Sequence, residues 1–186
     1  EINRTTGLDE VRNLRTSITS PLKQTADEIR KDFNSIGKDG KETKFEFGKD
    51  FSPTSFSANN KLESEVVFAG YGLSVAGKPG VGYNSYADLN ATGKMVLVLR
   101  YVPEQVKGER RQKLMRSAAL VRKATVARSH GAKGVIIIAG PNSQNANKLI
   151  SVNYVRGASS TGVIALSGNH KLANALLAAA GKGDLK

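Results

Sequence analysis

Two short stretches of the chain are apolar almost without interruption: Lys94-Met95-Val96-Leu97-Val98-Leu99-Arg100 and Gly134-Val135-Ile136-Ile137-Ile138-Ala139. A strand with one face in water alternates apolar and polar residues, so runs like these read as strands covered on both faces. Between them, residues 109–130 carry Leu114, Ala118 and Val121 at helical spacing. That spacing predicts one long helix, stopped by Gly131. Buried strand, helix, buried strand is the pattern of a right-handed βαβ crossover. Covering the two runs takes about ten large aliphatic side chains out of water, at roughly 1.5–3 kcal/mol each before chain entropy is subtracted. The class that follows is α/β, with a mixed sheet and at least one βαβ unit.

The flanks are less regular. Residues 1–19 show no periodicity and read as an arm. From Ser20-Pro21, a serine cap followed by a first-turn proline, Leu22, Ala26, Ile29, Phe33 and Ile36 form a helical stripe that predicts a helix to Ile36. Lys44–Phe47 alternates like a short strand closed by Phe51-Ser52-Pro53, and Glu65–Ala69 is a short apolar strand leading into Gly70-Tyr71-Gly72. Two weaker strands are expected near Leu149–Asn153 and Gly162–Leu166. A last helix is expected from Asn169 to Ala180, with Leu172, Leu176 and Ala179 inward and Gly181 as its stop.

Several chemistries can be tested against the residues. Gly72-Leu73-Ser74-Val75-Ala76-Gly77-Lys78-Pro79 matches a phosphate-binding loop except at its last position, where Pro79 has no hydroxyl for magnesium. Gly80-Val81-Gly82 then blocks the helix whose N-terminus should face the phosphates, and Gly70 and Gly72 fail as a dinucleotide fingerprint for the same reason. A glycine-proline surface turn is the better reading. The two histidines, His130 and His170, belong to no H-E-x-x-H or H-x-D pattern. His130 reads as a helix C-terminal residue favoured by the dipole, and His170 as an exposed first-turn residue. Gly157–Gly162 lacks the G-x-S-x-G spacing of a nucleophile elbow. The carboxylate pairs Asp9-Glu10 and Asp27-Glu28 fit solvated faces.

The charge balance is the loudest compositional signal, with 28 Lys plus Arg against 16 Asp plus Glu and a net charge of +12. Such a field can attract nucleic acid, an anionic membrane or an acidic partner, or it can be a solvated surface. Arg110, Arg111, Lys113, Arg116, Arg122, Lys123 and Arg128 spread around most of the 109–130 helix outside the Leu114–Val121 stripe. A recognition helix would gather them on one side, and no aromatic residues are interleaved for base stacking. A generally positive, solvated surface fits better. No apolar run approaches the roughly 18 residues of a membrane span, and Glu1-Ile2-Asn3-Arg4 does not begin a signal peptide. With no cysteine there are no disulfides or thiolate metal sites, which fits a cytoplasmic or a bacterial exported protein equally.

Read in order, Val66–Gly72, Tyr83-Asn84-Ser85-Tyr86-Ala87-Asp88-Leu89 and Gly93–Arg100 resemble the protease-associated (PA) domain of zinc-dependent aminopeptidases. The features are an apolar strand ending in Gly-Tyr-Gly, a tyrosine-aspartate turn, and a Gly-Lys leading into a buried strand. Ala127–Ile137, with its Gly131-Ala132-Lys133-Gly134 turn, looks like the family's helix, turn and next strand. The resemblance covers about residues 60–185 and divides the chain into a 1–59 extension and a 60–186 PA-like domain. It implies a mixed β-sheet or β-sandwich core with a βαβ unit and flanking helices, plus an N-terminal helical extension. The glycines and tyrosines of these motifs then look structural rather than catalytic.

The resemblance further implies a non-catalytic module with no catalytic, cofactor-binding or metal-binding residue of its own. Its partner would be the catalytic peptidase domain of the same polypeptide, which would hold the zinc, with a peptide or protein substrate as a second contact. The expected role is substrate access or protein interaction, and the expected location is secreted, periplasmic or cell-surface. A basic nucleic-acid-binding α/β domain is the alternative, carried by charge alone. Asn3-Arg4-Thr5 and Asn90-Ala91-Thr92 are glycosylation sequons, relevant only in a eukaryotic source.

Overall fold

The two apolar runs are adjacent strands at the centre of one sheet. The computed structural model describes residues 15–20, 34–36, 42–78, 81–151, 160–179 and 185. Ten strands are described: β1 Arg15–Ser20, β2 Asn34–Ile36, β3 Glu42–Lys44, β4 Phe51–Pro53, β5 Asn60–Phe68, β6 Ser74–Val75, β7 Tyr83–Asn84, β8 Met95–Leu99, β9 Gly134–Ile138 and β10 Ile164–Gly168. The helices among these residues are α1 Gly108–Arg116, α2 Leu120–Ser129 and α3 His170–Ala179. Eight strands make one sheet in the order β3-β2-β1-β5-β8-β9-β10-β4, and β6 and β7 form a separate hairpin. β5, β8, β9 and β10 run parallel, while β1 to β3 on one flank and β4 on the other pair antiparallel.

The period-two geometry of a strand sorts the apolar runs onto two layers. Val66, Met95, Leu97, Ile136, Ile138, Ile164 and Leu166 point to one face, where they meet Leu172, Ala173 and Leu176 of α3 together with Phe45 and Phe51. Val67, Val96, Val98, Val135, Ile137 and Ala165 point to the other, against Ala124 and Ala127 of α2 and against Tyr86. Every residue of β8, β9 and β10 is buried. The continuous hydrophobicity therefore has the physical cause inferred for it, and β8–α1–α2–β9 is the expected βαβ unit. A smaller cluster of Leu73, Val102 and Leu114 seats α1 on the glycine-rich segment after β5.

The expected single helix over 109–130 is two helices. Residue 119 is extended (φ −56°, ψ 136°), and Ser117 and Ala118 close α1 with bonds to the carbonyls of Leu114 and Met115. The break resets the helical phase. Leu114 stays buried, but Val121 is exposed, and Lys123, Ala124 and Ala127 face the sheet instead. Small alanines let α2 approach the strands closely. Lys123, read from sequence as part of a solvated surface, has no exposed area at all.

Other boundaries move for identifiable reasons. Asn34–Ile36, placed at the end of a helix over 20–36, pair as a strand with β1, while residues 21–33 of that helix lie outside the described residues. Arg15–Ser20, part of the presumed arm, pair with β5 from Arg15↔Glu65 to Ser20↔Asn60. Cross-strand bonding here overrides local periodicity. The strand expected at Lys44–Phe47 lies at 42–44, with Phe47 reduced to a bridge to Phe51. Phe51–Pro53 is itself an edge strand, where proline costs no ladder bond. Residues 149–151 form no strand, and 152–153 lie outside the described residues. The strand expected at 162–166 runs from 164 to 168. Asn169 caps α3, its Oδ1 accepting the Leu172 N–H at 2.9 Å.

Asp50 ties β4 to α3. Its buried carboxylate accepts the Glu46 N–H at 3.0 Å, the Lys171 ammonium at 2.5 Å and the Asn169 amide at 3.1 Å. Burial pushes Asp50 up, but the Lys171, Glu46 and Asn169 bonds together outweigh it and hold the carboxyl below its ordinary value of 3.8. A depressed carboxylate adds stability above its unfolded pKa, and that stability is lost as pH falls through the folded value. Asp50→Asn is expected to cost about 2–3 kcal/mol at neutral pH, with the gap to the parent closing below pH 4, as read from urea midpoints across pH.

Gly72 leaves the Gly-Tyr-Gly turn at φ +60°, and a Cβ there would sit 2.7 Å from Val98 Cγ1. Gly72→Ala therefore combines left-handed strain with overpacking and is expected to lower stability by about 2–4 kcal/mol in the same titration. A loss within the error of the midpoint would refute this account of the turn.

Candidate functional site: a polar cleft at the carboxyl edge of the sheet

Open parallel sheets bind ligands beyond the carboxyl ends of their strands, where loops diverge and backbone groups are free. Here β8 ends at Leu99, and the chain turns through Arg100, Tyr101, Val102 and Pro103 while β9 ends at Ile138 and continues to Gly140. The Leu99 N–H donates to Gly70 O and the Arg100 N–H to Ile138 O, both at 2.8 Å, which locks the exits of β5, β8 and β9 together. A cleft of about 290 Å³ opens between these exits, with Tyr71, Arg100, Tyr101, Glu104, Arg111 and Asn142 on its walls.

The wall at Tyr101 is strained. Its φ of 64° is left-handed, a region that bulky side chains rarely occupy. Two contacts hold it there. Lys123 Nζ donates to Tyr101 O at 2.9 Å, and Asn145 Nδ2 donates to the Tyr101 hydroxyl at 2.6 Å. Strain of this kind persists only where surrounding structure over-determines it, and it concentrates at binding sites.

Lys123 is fully buried and braces the cleft's wall from within the fold. Its ammonium donates to the carbonyls of Tyr71, Leu99 and Tyr101, so its three N–H bonds all end on backbone oxygens. It also lies 5.9 Å from the centre of the Tyr71 ring. Burial pushes the group down to about 7. The three acceptors favour the charged form, because a neutral amine would have one donor fewer and would turn its lone pair toward a carbonyl.

The walls carry both charges. The Arg100 guanidinium lies 5.1 Å from the Tyr101 ring centre, and its buried Nε has no hydrogen-bond partner among the described residues. Arg111 Nη1 reaches Pro103 O only at 3.4 Å. The Glu104 carboxylate accepts the Asn142 amide at 3.2 Å. Burial first, then the Glu104 charge, raises the Tyr71 phenol above its ordinary value, keeping it a neutral donor.

The residues weighed from sequence fall elsewhere. Of the phosphate-loop-like segment, Ser74 and Val75 form β6 and pair with β7, while the glycine-proline turn expected at Pro79 lies outside the described residues. α1 grips both sides, with Lys113 Nζ donating to Ala76 O at 2.8 Å and Arg110 Nη2 to Gly82 O at 3.0 Å. His130 caps α2, with its ring stacked on Tyr86 at 4.3 Å. His170 opens α3 half-buried, its Nε2 2.9 Å from Ala139 O. Tyr86 is buried, which pushes its phenol up. Asn90 is exposed and accepts the Thr92 N–H at 3.1 Å. Asp9, Glu10, Asp27 and Glu28 lie outside the described residues. No three His, Asp or Glu side chains gather into a metal-binding group among the described residues, and both histidine rings are engaged in packing or backbone contacts. These residues do not fit a zinc site. None of the helices described is long and apolar enough to cross a membrane.

The cleft itself was missed at the sequence level. Arg100, Tyr101, Glu104 and Asn142 carry no motif, and the usable signal was positional: polar residues directly after two buried strands.

A mixed sheet with a parallel centre packed between helices, and a polar cleft at its carboxyl edge, defines an α/β domain. The PA domain family profile matches residues 62–174, more than half of the chain, and the chain belongs to that family. No curated protein matches it. Among solved structures it is similar to BSAP, a zinc aminopeptidase from Bacillus subtilis, at 16% identity and a TM-score of 0.47, over 90% of this chain and 31% of that one. The chain thus spans about a third of that enzyme's length, and the overlay is too loose to transfer any property.

Lys123→Met removes an ammonium bonded to three backbone carbonyls and is expected to cost about 3 kcal/mol by urea unfolding. Lys123→Arg should not recover it, since a planar guanidinium cannot meet three converging oxygens. Recovery by arginine would count against the tripod.

Proposed function

We propose that this chain is the non-catalytic PA domain of a secreted zinc aminopeptidase, and that it governs substrate access or contacts a protein through the cleft at residues 100–104 and 140–144. The observation that carries the reading is the family match over residues 62–174, beside a polar cleft whose strained wall at Tyr101 is held by Lys123 and Asn145. Such a site can hold and orient a ligand by hydrogen bonds and charge. The paired zinc ions and the water they activate would belong to a peptidase domain elsewhere in the same polypeptide.

The basic surface does not favour the nucleic-acid alternative. Arg110, Lys113, Lys123 and Arg128 each spend donors on backbone carbonyls of this chain, which leaves fewer free cations than the net charge suggests. The purified 186-residue chain should release no chromophore from aminoacyl-anilides, with or without added zinc. Turnover that a chelator abolishes would overturn the non-catalytic reading.

A further inference from the structure

The cleft carries more guanidinium than it uses. Arg100 and Arg111 face it against the single carboxylate of Glu104, which is already bonded to Asn142. Arg100 Nε is buried without a partner among the described residues, and a buried donor left unbonded costs about 1–3 kcal/mol. Arg111 is an exposed residue whose hydrogen bond among the described residues is the long contact to Pro103 O at 3.4 Å. Ser143 and Gln144 add neutral polar groups to the same walls. Guanidinium groups pair with planar carboxylates by two parallel bonds, a geometry that a lone backbone carbonyl cannot match.

We propose that this cleft binds a peptide carboxylate, with Arg100 and Arg111 as its cationic contacts and the Lys123-braced turn at Tyr101 as the rigid wall that positions them. The ligand is a short peptide segment, and the carboxylate is either its C-terminus or an aspartate or glutamate side chain. The remaining polar groups, Asn142, Ser143 and Glu104, suit the amide groups of the same segment. The inference rests on reading the cleft as a contact site, but it does not need the chain to serve a peptidase.

The test is an amide ¹H–¹⁵N titration of the 186-residue chain with three probes: acetyl-Ala-Ala-Ala with a free carboxylate, the same peptide as its C-terminal amide, and acetyl-Ala-Asp-Ala-amide. At least one carboxylate probe should shift the amides of residues 100–104 and 140–144, and the uncharged probe should bind about tenfold more weakly or not at all. Which carboxylate probe binds identifies the source. Arg111→Gln, at an exposed position, should weaken binding about tenfold without changing the melting curve, and Arg100→Gln should do so if it remains folded. Equal binding of the uncharged peptide, no shift with either carboxylate probe, or an unaffected Arg111→Gln variant would each overturn the proposal. Such a failure would leave the anilide result, and the accessory reading it tests, untouched.

Discussion

One ammonium group, shut away from water, holds the working end of this fold together. Lys123 on α2 reaches three backbone carbonyls at two neighbouring strand exits, Tyr71 after β5 and Leu99 and Tyr101 at and just beyond the end of β8. Taking a charge out of water costs several kcal/mol, and it is tolerated only where every proton finds an acceptor. Here they do. The bonds span helix and sheet, so α2 must sit at one height on the strands, and Ala124 and Ala127 on the same face allow the close approach. The left-handed turn at Tyr101 and the cleft beyond it follow from that anchor.

The centre of the fold was legible because its residues answer to one demand. A strand covered on both faces needs apolar side chains at every position, and Met95–Leu99 and Gly134–Ile138 supply them. The glycines at 72 and 131 could be read the same way, since each stands where the chain leaves an element at positive φ. What escaped depended on distant partners. The strand character of Arg15–Ser20 comes from β5, and that of Phe51–Pro53 from β10. Local spacing at Ile36 favoured a helix, but backbone pairing with β1 decided it. The break at residues 117–119 has no glycine or proline to announce it, and without the break Lys123 falls on the solvent side of a continuous helix. The burial of the one lysine that matters most was therefore hidden by a break that resets the helical phase.

The same point revises the meaning of the net charge. A count of +12 reads as a field directed outward. In the fold, Lys113 and Arg110 clip the β6–β7 hairpin to α1, Arg128 holds Thr161 O at 3.1 Å, and Lys94 pairs with Glu65 at 2.8 Å. Long cationic side chains here act as cross-links between loop carbonyls, which is how a PA-family domain without disulfides fixes its glycine-rich connections. Arg100 and Arg111 stand apart because their guanidinium groups face a cleft with donors to spare.

Side-chain ¹H–¹⁵N spectroscopy of the lysine ammonium groups reads the state of Lys123 directly. The tripod of carbonyls predicts one slowly exchanging ammonium signal, assigned to Lys123 by its loss in a substituted chain, and its burial predicts that this signal titrates near pH 7. A Lys123 signal that exchanges as fast as the exposed lysines and titrates near the ordinary value of 10.5 would contradict it.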